Sequence, residues 1–496
     1  MGETTHLVLL RDLASGPFMS LVRAGTRMSS AVTVLLVHPL TPDSAAKVAA
    51  QVQRVDPSVV RFHRLPPLPA FKSRYMQLGA PHVDAALAAL RPAPVAVLLD
   101  FFATAVLDVV LGRRNIPAYV YFTSTAAMLA LMLRLPALQE ELPVDFADME
   151  EGTVLDIVPG MKSPVPAACM PEFLARRDSP NFSWFAYHGR RFTEADGVVV
   201  NTVAELDQGI LDAIAAGQKV PNLYPIGPVI DDQDLLLTTT GSSPPPNRCV
   251  AWLDAQPAGS VVYLCFGSIG FLSAEQAREL AEGLERSGHR FLWVLRQGPP
   301  PAPGSAASHL TTDGDAAAAL LPEGFLERTA ARGLVWPAWA PQREILAHAA
   351  VGAFVTHAGW NSCLESLCSG VPMVPWPLYA EQHLNAFQAV AEMDVAVPLH
   401  GAVDANFQGG RNKKKLVEAE AVERAVRSVM GSTQEGRSAR EKAMRMKHLC
   451  RNAVAPGGSS HAAMHRLCND IRRRAGATAA AAVKDSTPLL PGGPLF

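Results

Sequence analysis

Cysteine is scarce in this chain of 496 residues: there are seven, and no two form a C-x-x-C pair. That spacing excludes a zinc ribbon and a thioredoxin-type redox site. Cys265 lies inside the apolar run Val-Tyr-Leu-Cys-Phe, where a buried, reduced thiol is the expectation, as in a reducing compartment. Positive charge is not in excess either: 44 Lys+Arg face 46 Asp+Glu, a formal charge of −2. A protein living on phosphate contacts to nucleic acid carries a basic surplus, so that class is set aside. Long apolar runs are missing too. The nearest stretch, 116–133, is broken by Pro117, Thr123, Ser124 and Thr125, so no membrane span is expected. Arg11 and Asp12 close the first apolar run after four residues, too soon for a signal-peptide core, and His6 stands where N-myristoylation needs Ser or Thr. No carboxylate cluster marks a divalent-ion site, so neither a metal nor a cofactor is expected. A cytoplasmic monomer is the expectation.

Apolar residues, in contrast, make up 49% of the chain and charged residues 18%, enough for sizeable cores in two or three domains. Short β-branched runs alternate with helical patterns. Leu7–Leu10, Val32–His38, Val95–Leu99, Ala118–Phe122 and Gly197–Asn201 predict buried strands in the first half. Val261–Phe266, Phe291–Arg296, Leu334–Pro337, Val351–Thr356 and Met373–Trp376 predict them in the second. Ser273 and Gln276 have the spacing of a capping box at a helix start. Wholly apolar strands alternating with helices predict parallel sheets covered on both faces. The Thr/Gly/Ser/Pro-rich stretch 231–248 reads as a linker between a first domain, 1–230, and a second, 249–455. A helix over 456–473 is expected to pack back on the first domain, and 474–496 to form a disordered tail. The Pro/Ala/Gly-rich insert 298–319 reads as a surface loop. Two α/β domains place a ligand cleft between them, at the carboxyl ends of the strands.

One segment concentrates polar chemistry. After the predicted strand Val351–Thr356, His357-Ala-Gly-Trp360-Asn361-Ser362 turns into a helix, whose N-terminus is an anion site. Asn361 and Ser362 are N-cap residue types able to add contacts to a phosphate. Glu365 lies one turn further on; it would repel a phosphate but suits a vicinal diol such as a ribose. Trp339 offers a flat face for a base, and Glu381-Gln382 offers an acceptor and an amide for sugar hydroxyls. In order, these read as places for base, ribose, diphosphate and sugar.

The 44 residues from Trp339 to Gln382 resemble, without gaps, the signature box of plant family-one UDP-glycosyltransferases. The resemblance extends along nearly the whole chain, through Leu98-Leu-Asp100-Phe-Phe, 116–124, Trp252-Leu-Asp, 260–268 and Phe291-Leu-Trp-Val. It implies two facing Rossmann-like, doubly wound α/β domains of the GT-B type with an interdomain cleft. It also implies that Trp339 stacks on uracil, Gln342 contacts the nucleoside, Glu365 holds the ribose, and Ala340 belongs to the UDP-sugar site. Ser268, His357, Asn361 and Ser362 would hold the diphosphate, and Trp360, Glu381 and Gln382 the sugar. Gln382 goes with UDP-glucose in that family, where His would go with UDP-galactose; Trp360, being uncharged, speaks against a glucuronic acid donor. Phe101, Phe122, Met128 and Trp184 are the expected walls of an acceptor pocket. The implied reaction is inverting glucosyl transfer to a small lipophilic acceptor, a phenolic or flavonoid-like compound or a carboxylic acid.

One position departs from the family pattern. The catalytic His that follows a glycine after the first strand is here Pro17, after Gly16. Proline has no ionisable group and no N–H. Asp100, which orients that His in the family, is present. The acceptor could arrive already ionised, Asp100 or another group could take the proton directly or through a water, or the chain could bind UDP-sugar without turnover, as a catalytically impaired relative. A nucleotide-sugar hydrolase is a third class. His82 and His188 read as surface or helix decoration rather than replacement bases. Ser268 sits in a Phe-Gly-Ser-Ile-Gly run that lacks the first glycine of a nucleophile elbow. His348 reads as a helix cap, His461/His465 as a solvated pair and 411–415 as a solvated basic loop.

Overall fold

A computed structural model describes residues 6–11, 18–29, 31–36, 52, 55–66, 75–217, 220, 222–230, 247–267, 270–296, 318–402 and 416–485. The first sheet contains β1 (His6–Arg11), β2 (Ala31–Leu36), β3 (Val60–Arg64), β4 (Ala96–Asp100), β5 (Ala118–Phe122), β8 (Gly197–Val200) and β9 (Asn222–Pro225). They pair in parallel in the order β3-β2-β1-β4-β5-β8-β9. The second sheet contains β10 (Val261–Cys265), β11 (Arg290–Val294), β12 (Gly333–Trp336), β13 (Val351–Thr356) and β14 (Met373–Pro375), parallel in the order β12-β11-β10-β13-β14. A small antiparallel ribbon, β6 (Val154–Leu155) with β7 (Val165–Pro166), sits apart. Both sheets are covered by helices, so β4, β5, β8 and β10 are buried along their whole length. This is the physical reason their sequences are unbroken apolar runs.

Four strands escape the sequence pattern: the short ribbon β6–β7 and, in the first sheet, β3 and β9. β3 and β9 form the two edges of the first sheet, and an edge strand buries only part of itself. Val60-Arg-Phe-His-Arg therefore carries polar residues at most positions and lacks the apolar run that marks its neighbours. The Ser273–Gln276 capping box is half formed. Ser273 accepts the Gln276 N–H at 3.2 Å, but the Gln276 side chain turns inward, donating to the Val417 carbonyl at 2.8 Å and accepting the Val417 N–H at 2.9 Å. The tail expected to lack structure from 474 is helical as far as Asp485, continuing the helix that begins at Ser459. Its Ala-rich composition has the highest helix propensity of any residue type. The linker 231–246, the insert 298–317, the basic loop 411–415, Pro17 and Ser268 lie outside the described residues.

The Ser459–Asp485 helix packs on the first sheet through Ala463, Leu467 and Ile471, in one core with Leu7, Leu9, Tyr119 and Tyr224. Asp470 ties it down. Its carboxylate accepts the Tyr119 hydroxyl at 2.8 Å and the Tyr224 hydroxyl at 3.1 Å, and Arg474 bridges Asp470 to Asp196. No helix among the described residues is long and apolar enough to cross a membrane. All seven cysteines are free thiols. Replacing Asp470 by Ala strands two buried tyrosine hydroxyls, each costing about 1–3 kcal/mol. Chemical denaturation of Asp470→Ala should show a loss of about 2–4 kcal/mol.

Candidate functional site

A cavity of about 470 Å³ opens between the sheets. It lies at the carboxyl ends of β4, β5, β13 and β14, where the strands hand over to loops. One wall comes from the first sheet and its helices: Phe101, Phe102, Phe122, Met128, Met132, Phe173 and Phe185. These rings hold one another. Phe173 stacks on Phe185 with centroids 4.0 Å apart, Phe102 meets Phe185 edge-on at 5.5 Å, and Phe101 leans on Phe122 at 5.2 Å. Met128 and Met132 stand one turn apart on the helix Ala126–Glu141, whose start is capped by Thr125 accepting the Met128 N–H at 3.1 Å. Trp184 is absent from this wall. It sits one residue out of phase with Phe185 on the helix Pro180–Phe192, and its ring stacks on Tyr187 and meets His188 edge-on instead.

The opposite wall is polar and comes from the second sheet. β13 ends at Thr356, the chain turns through His357, Ala358 and Gly359, and the helix Trp360–Ser369 follows. Gly359 is the N-cap, with no side-chain cap, so Asn361 and Ser362 are not caps but stand in the first turn. The first intrahelical bond runs from the Cys363 N–H to the Gly359 carbonyl at 3.0 Å. The N–H groups of Trp360, Asn361 and Ser362 are therefore outside the helical ladder, as at any helix start, and with the macrodipole they favour an anion. Ala358 (φ 60°) and Ala380 (φ 56°) hold left-handed backbone without being glycine. Both stand in turns at the cavity, and strain of that kind concentrates at functional sites.

His357 is buried between two glycines: a Cβ at Gly267 would come within 2.7 Å of its Nε2 and one at Gly359 within 2.4 Å. Burial pulls its pKa down to about 4, so the ring is neutral near pH 7. Its buried Nδ1 has no partner among the described residues. Glu365 and Gln342 meet beside it. The Gln342 amide donates to Glu365 Oε2 at 2.7 Å and to Ser362 Oγ at 3.0 Å, and burial raises the Glu365 carboxyl above the usual carboxylate range. Trp339 is 67% exposed, and its carbonyl accepts the Trp336 indole N–H at 3.1 Å. Ala340 beside it is buried.

Gln382 is buried, and its Oε1 accepts the N–H groups of Leu378 (2.9 Å) and Tyr379 (3.1 Å), which leaves its amide NH2 as the end able to face the cavity. Glu381 accepts the hydroxyl of Ser124, from the other wall, at 2.9 Å. The Trp360 indole N–H is also spent across the cleft, on the Asn201 carbonyl at 2.7 Å. Asn201, at the end of β8, carries no motif signal in the sequence, and Ser124 closes the stretch 116–124; each bonds a residue of the second sheet's side. Asp100 closes β4, and its buried carboxylate accepts the Phe102 N–H at 3.0 Å, which starts the turn that presents Phe101 and Phe102.

The other histidines singled out in the sequence are not among the residues that line the cavity. His188 is buried rather than on the surface; it bonds Thr104 Oγ1 at 2.7 Å, and burial pulls its pKa to about 3. His82 is half-buried on the helix Tyr75–Ala89. His348 is the C-cap residue of the helix Gln342–Ala347, its backbone N–H on the Ile345 carbonyl, while its ring bonds Asp254 at 3.1 Å and accepts the Ala350 N–H at 3.1 Å. The His461 and His465 rings lie 4.5 Å apart, and no group of three metal-ligating side chains occurs among the described residues.

Buried histidines give the fold a pH dependence. His188, His357 and His383 titrate at about 3, 4 and 4 when folded, each lowered by burial, against about 6.5 unfolded. The unfolded chain takes these protons first, so stability falls as pH drops through 6.5 toward 4. Asp207 works oppositely: burial lifts it to about 6, so its protonation returns part of the loss over the same window. The net of about two protons gives a slope of up to roughly 3 kcal/mol per pH unit. Urea midpoints measured at pH 7, 6 and 5 should fall steadily, and His383→Leu should flatten that fall.

The comparisons agree with this geometry. Residues 223–448 match the family described as UDP-glucoronosyl and UDP-glucosyl transferase. The chain is 46% identical over 498 residues to malvidin galactosylase UGT88C3 of Oryza sativa subsp. japonica, covering 94% of this chain and 98% of that protein. It is 40% identical to the phloretin 2'-O-glucosyltransferase of Pyrus communis, covering 79% of this chain and 80% of that protein. Among solved structures, Phytolacca americana UGT2 complexed with UDP-2fluoro-glucose and pterostilbene superposes with a TM-score of 0.77 at 31% identity, over 94% of this chain and all of that one. Medicago truncatula UGT71G1 complexed with UDP-glucose gives 0.75 at 32%, over 94% and 98%. With two facing parallel-sheet domains and these relatives, the chain belongs to the plant family-one UDP-glycosyltransferases and is a UDP-glycosyltransferase of the GT-B fold.

Proposed function

We propose that this enzyme transfers glucose from UDP-glucose, with inversion, to a small lipophilic acceptor: a phenolic or flavonoid-like hydroxyl, or a carboxylic acid. The observation that carries the reading is the two-sided cavity, aromatic and methionine-rich on one wall and on the other lined by His357, Asn361, Ser362, Glu381 and Gln382. A flat apolar acceptor suits the first wall and a nucleotide sugar the second. In this reading Trp339 stacks on uracil, Gln342 contacts the nucleoside, Glu365 holds the ribose hydroxyls, and Ala340 belongs to the UDP-sugar site. His357, Asn361, Ser362 and Ser268 receive the diphosphate. Trp360, Glu381 and Gln382 receive the sugar; since the Trp360 indole is spent on Asn201, Trp360 acts through its backbone N–H. Gln382 reads the sugar as a donor, because its oxygen is already taken.

Transfer is a single displacement. The acceptor oxygen bonds to the anomeric carbon as the bond to the diphosphate breaks, and the departing charge grows at the start of the Trp360–Ser369 helix, where amides and dipole stabilise it. Pro17 offers no base. An acceptor that is already ionised needs none, and Asp100 stands at the end of β4 to take a proton directly or through water. Loss of a general base costs about 10²–10⁴-fold, which slows transfer without abolishing it. The second reading, a UDP-sugar-binding protein without turnover, is favoured by Pro17 alone.

UDP release from UDP-glucose and from UDP-galactose, run against carboxylic acids and phenols of graded acidity, separates these readings. Wild type should use UDP-glucose and favour ionised acceptors, and Pro17→His should extend turnover to weakly acidic phenols. Faster turnover of UDP-galactose would overturn the donor assignment. Silence of wild type, rescued by Pro17→His, would establish the second reading. Trp339→Ala should raise the UDP Kd in calorimetry by roughly 5- to 100-fold, the worth of one base stacked on an aromatic ring.

A further inference from the structure

Asp207 is a buried carboxylate that the transfer chemistry does not use. It is 2% exposed, on the helix Ala204–Gly217, at a point where the backbone leaves helical torsions. Its partners come from three directions. Thr202 Oγ1 donates to Oδ2 at 2.5 Å, Gln388 Nε2 donates to Oδ1 at 2.6 Å, and the nearby Ala126 backbone N–H favours the charged carboxylate. Every partner is a donor, so a carboxylate, which only accepts, satisfies all of them at once.

The second and third partners lie on opposite sides of the cavity. Ala126 is the first residue of the helix that carries Met128 and Met132 into the aromatic wall, and a carboxylate at a helix N-terminus is favourably placed against the dipole. Gln388 follows directly on the helix Gln382–Phe387, whose first residue lines the sugar end of the cavity. Within that helix, Asn385 Nδ2 donates to the Ala358 carbonyl at 3.0 Å, so the helix also steadies the turn between His357 and Gly359. One carboxylate thus bonds the end of the sugar-side helix and faces the start of the acceptor-wall helix.

We infer that Asp207 is a positioning residue for glycosyl transfer, setting through Gln388 and Ala126 the distance between the acceptor wall and the Glu381–Gln382 end of the donor site. The inference rests on the transferase reading above. A displacement of about 1 Å between reacting atoms costs on the order of 10²-fold, so a loosened grip slows transfer more than it weakens binding of UDP. An amide in place of the carboxylate keeps most of the function. Gln388 Oε1 is buried without a partner among the described residues, so the Gln388 amide can turn over and accept from the NH2 group that Asp207→Asn introduces.

The test is a double-mutant cycle of Asp207→Ala and Gln388→Ala, with Asp207→Asn as the conservative variant. Each alanine variant should lower kcat for transfer about 10- to 100-fold with the UDP Kd in calorimetry within about twofold of wild type. The double variant should be no worse than the worse single one, because both cut the same link, and Asp207→Asn should retain at least a third of kcat. Hydrogen exchange, which needs no turnover, should rise in 382–392 and in 126–132 in both alanine variants. Additive losses, a UDP Kd that weakens in step with kcat, or unchanged exchange in both segments overturns the inference. If Asp207→Ala fails to fold, Gln388→Ala decides the same questions from the other side of the link. If wild type transfers to no acceptor, the transferase reading is what fails, and the exchange pattern still decides the role of Asp207.

Discussion

The Asn201 carbonyl, at the carboxyl end of β8, accepts the indole N–H of Trp360 across the cleft at 2.7 Å. The two halves of the molecule are set against each other around this contact. Asn201 is wholly buried, and its side chain is committed as well: Oδ1 accepts the Val229 N–H at 2.7 Å, while Nδ2 reaches Ser20 Oγ at 3.3 Å and Asn361 Oδ1 at 3.4 Å. A buried polar group left without partners costs more than the bond itself contributes. Such a network therefore tolerates one arrangement of the two sheets and penalises its neighbours. Ser124 with Glu381, and the Lys162 and Ser163 N–H groups with Glu392, repeat the theme at other points along the interface.

The consequence is a division of labour between walls. The first sheet supplies rings that pack on one another and so have little rotational freedom to lose when an aromatic acceptor lies against them. The second supplies a helix start, a neutral buried histidine and an amide whose oxygen is already occupied. The helix start offers N–H donors and the amide its NH2, because their surroundings have taken the other ends, while His357 is held as a closely packed neutral ring. Gly267 and Gly359 make this possible for His357, since a side chain at either position would collide with the ring.

Legibility in the sequence followed burial. Strands buried on both faces, β4, β5, β8 and β10, are written as apolar runs because no position on them meets water. The edges β3 and β9 were illegible for the opposite reason: half of each strand has no core to face. Within the site, the residues standing on one contiguous stretch, from Trp339 to Gln382, could be read because a strand, a tight turn and a helix start bring near neighbours in sequence to one place. Trp184 falls outside the wall because aromatic character says nothing of phase, and a shift of one residue on a helix turns a ring by about 100°. The Ala-rich run beyond 474 reads as a tail because it lacks an apolar stripe, yet backbone propensity alone suffices for helix there.

The sequence by itself determined the fold class, the order of polar residues between Trp339 and Gln382 and the proline at position 17, because these depend on residue types at short range along the chain. Tertiary structure alone decided what joins the two sides. That Asn201 meets Trp360, that Ser124 meets Glu381 and that Asp207 meets Gln388 are contacts between residues 159, 257 and 181 positions apart. No periodicity or local spacing encodes such pairs. They follow from how two independently legible sheets come to rest on each other, with every buried donor between them finding an acceptor or leaving its cost unmet.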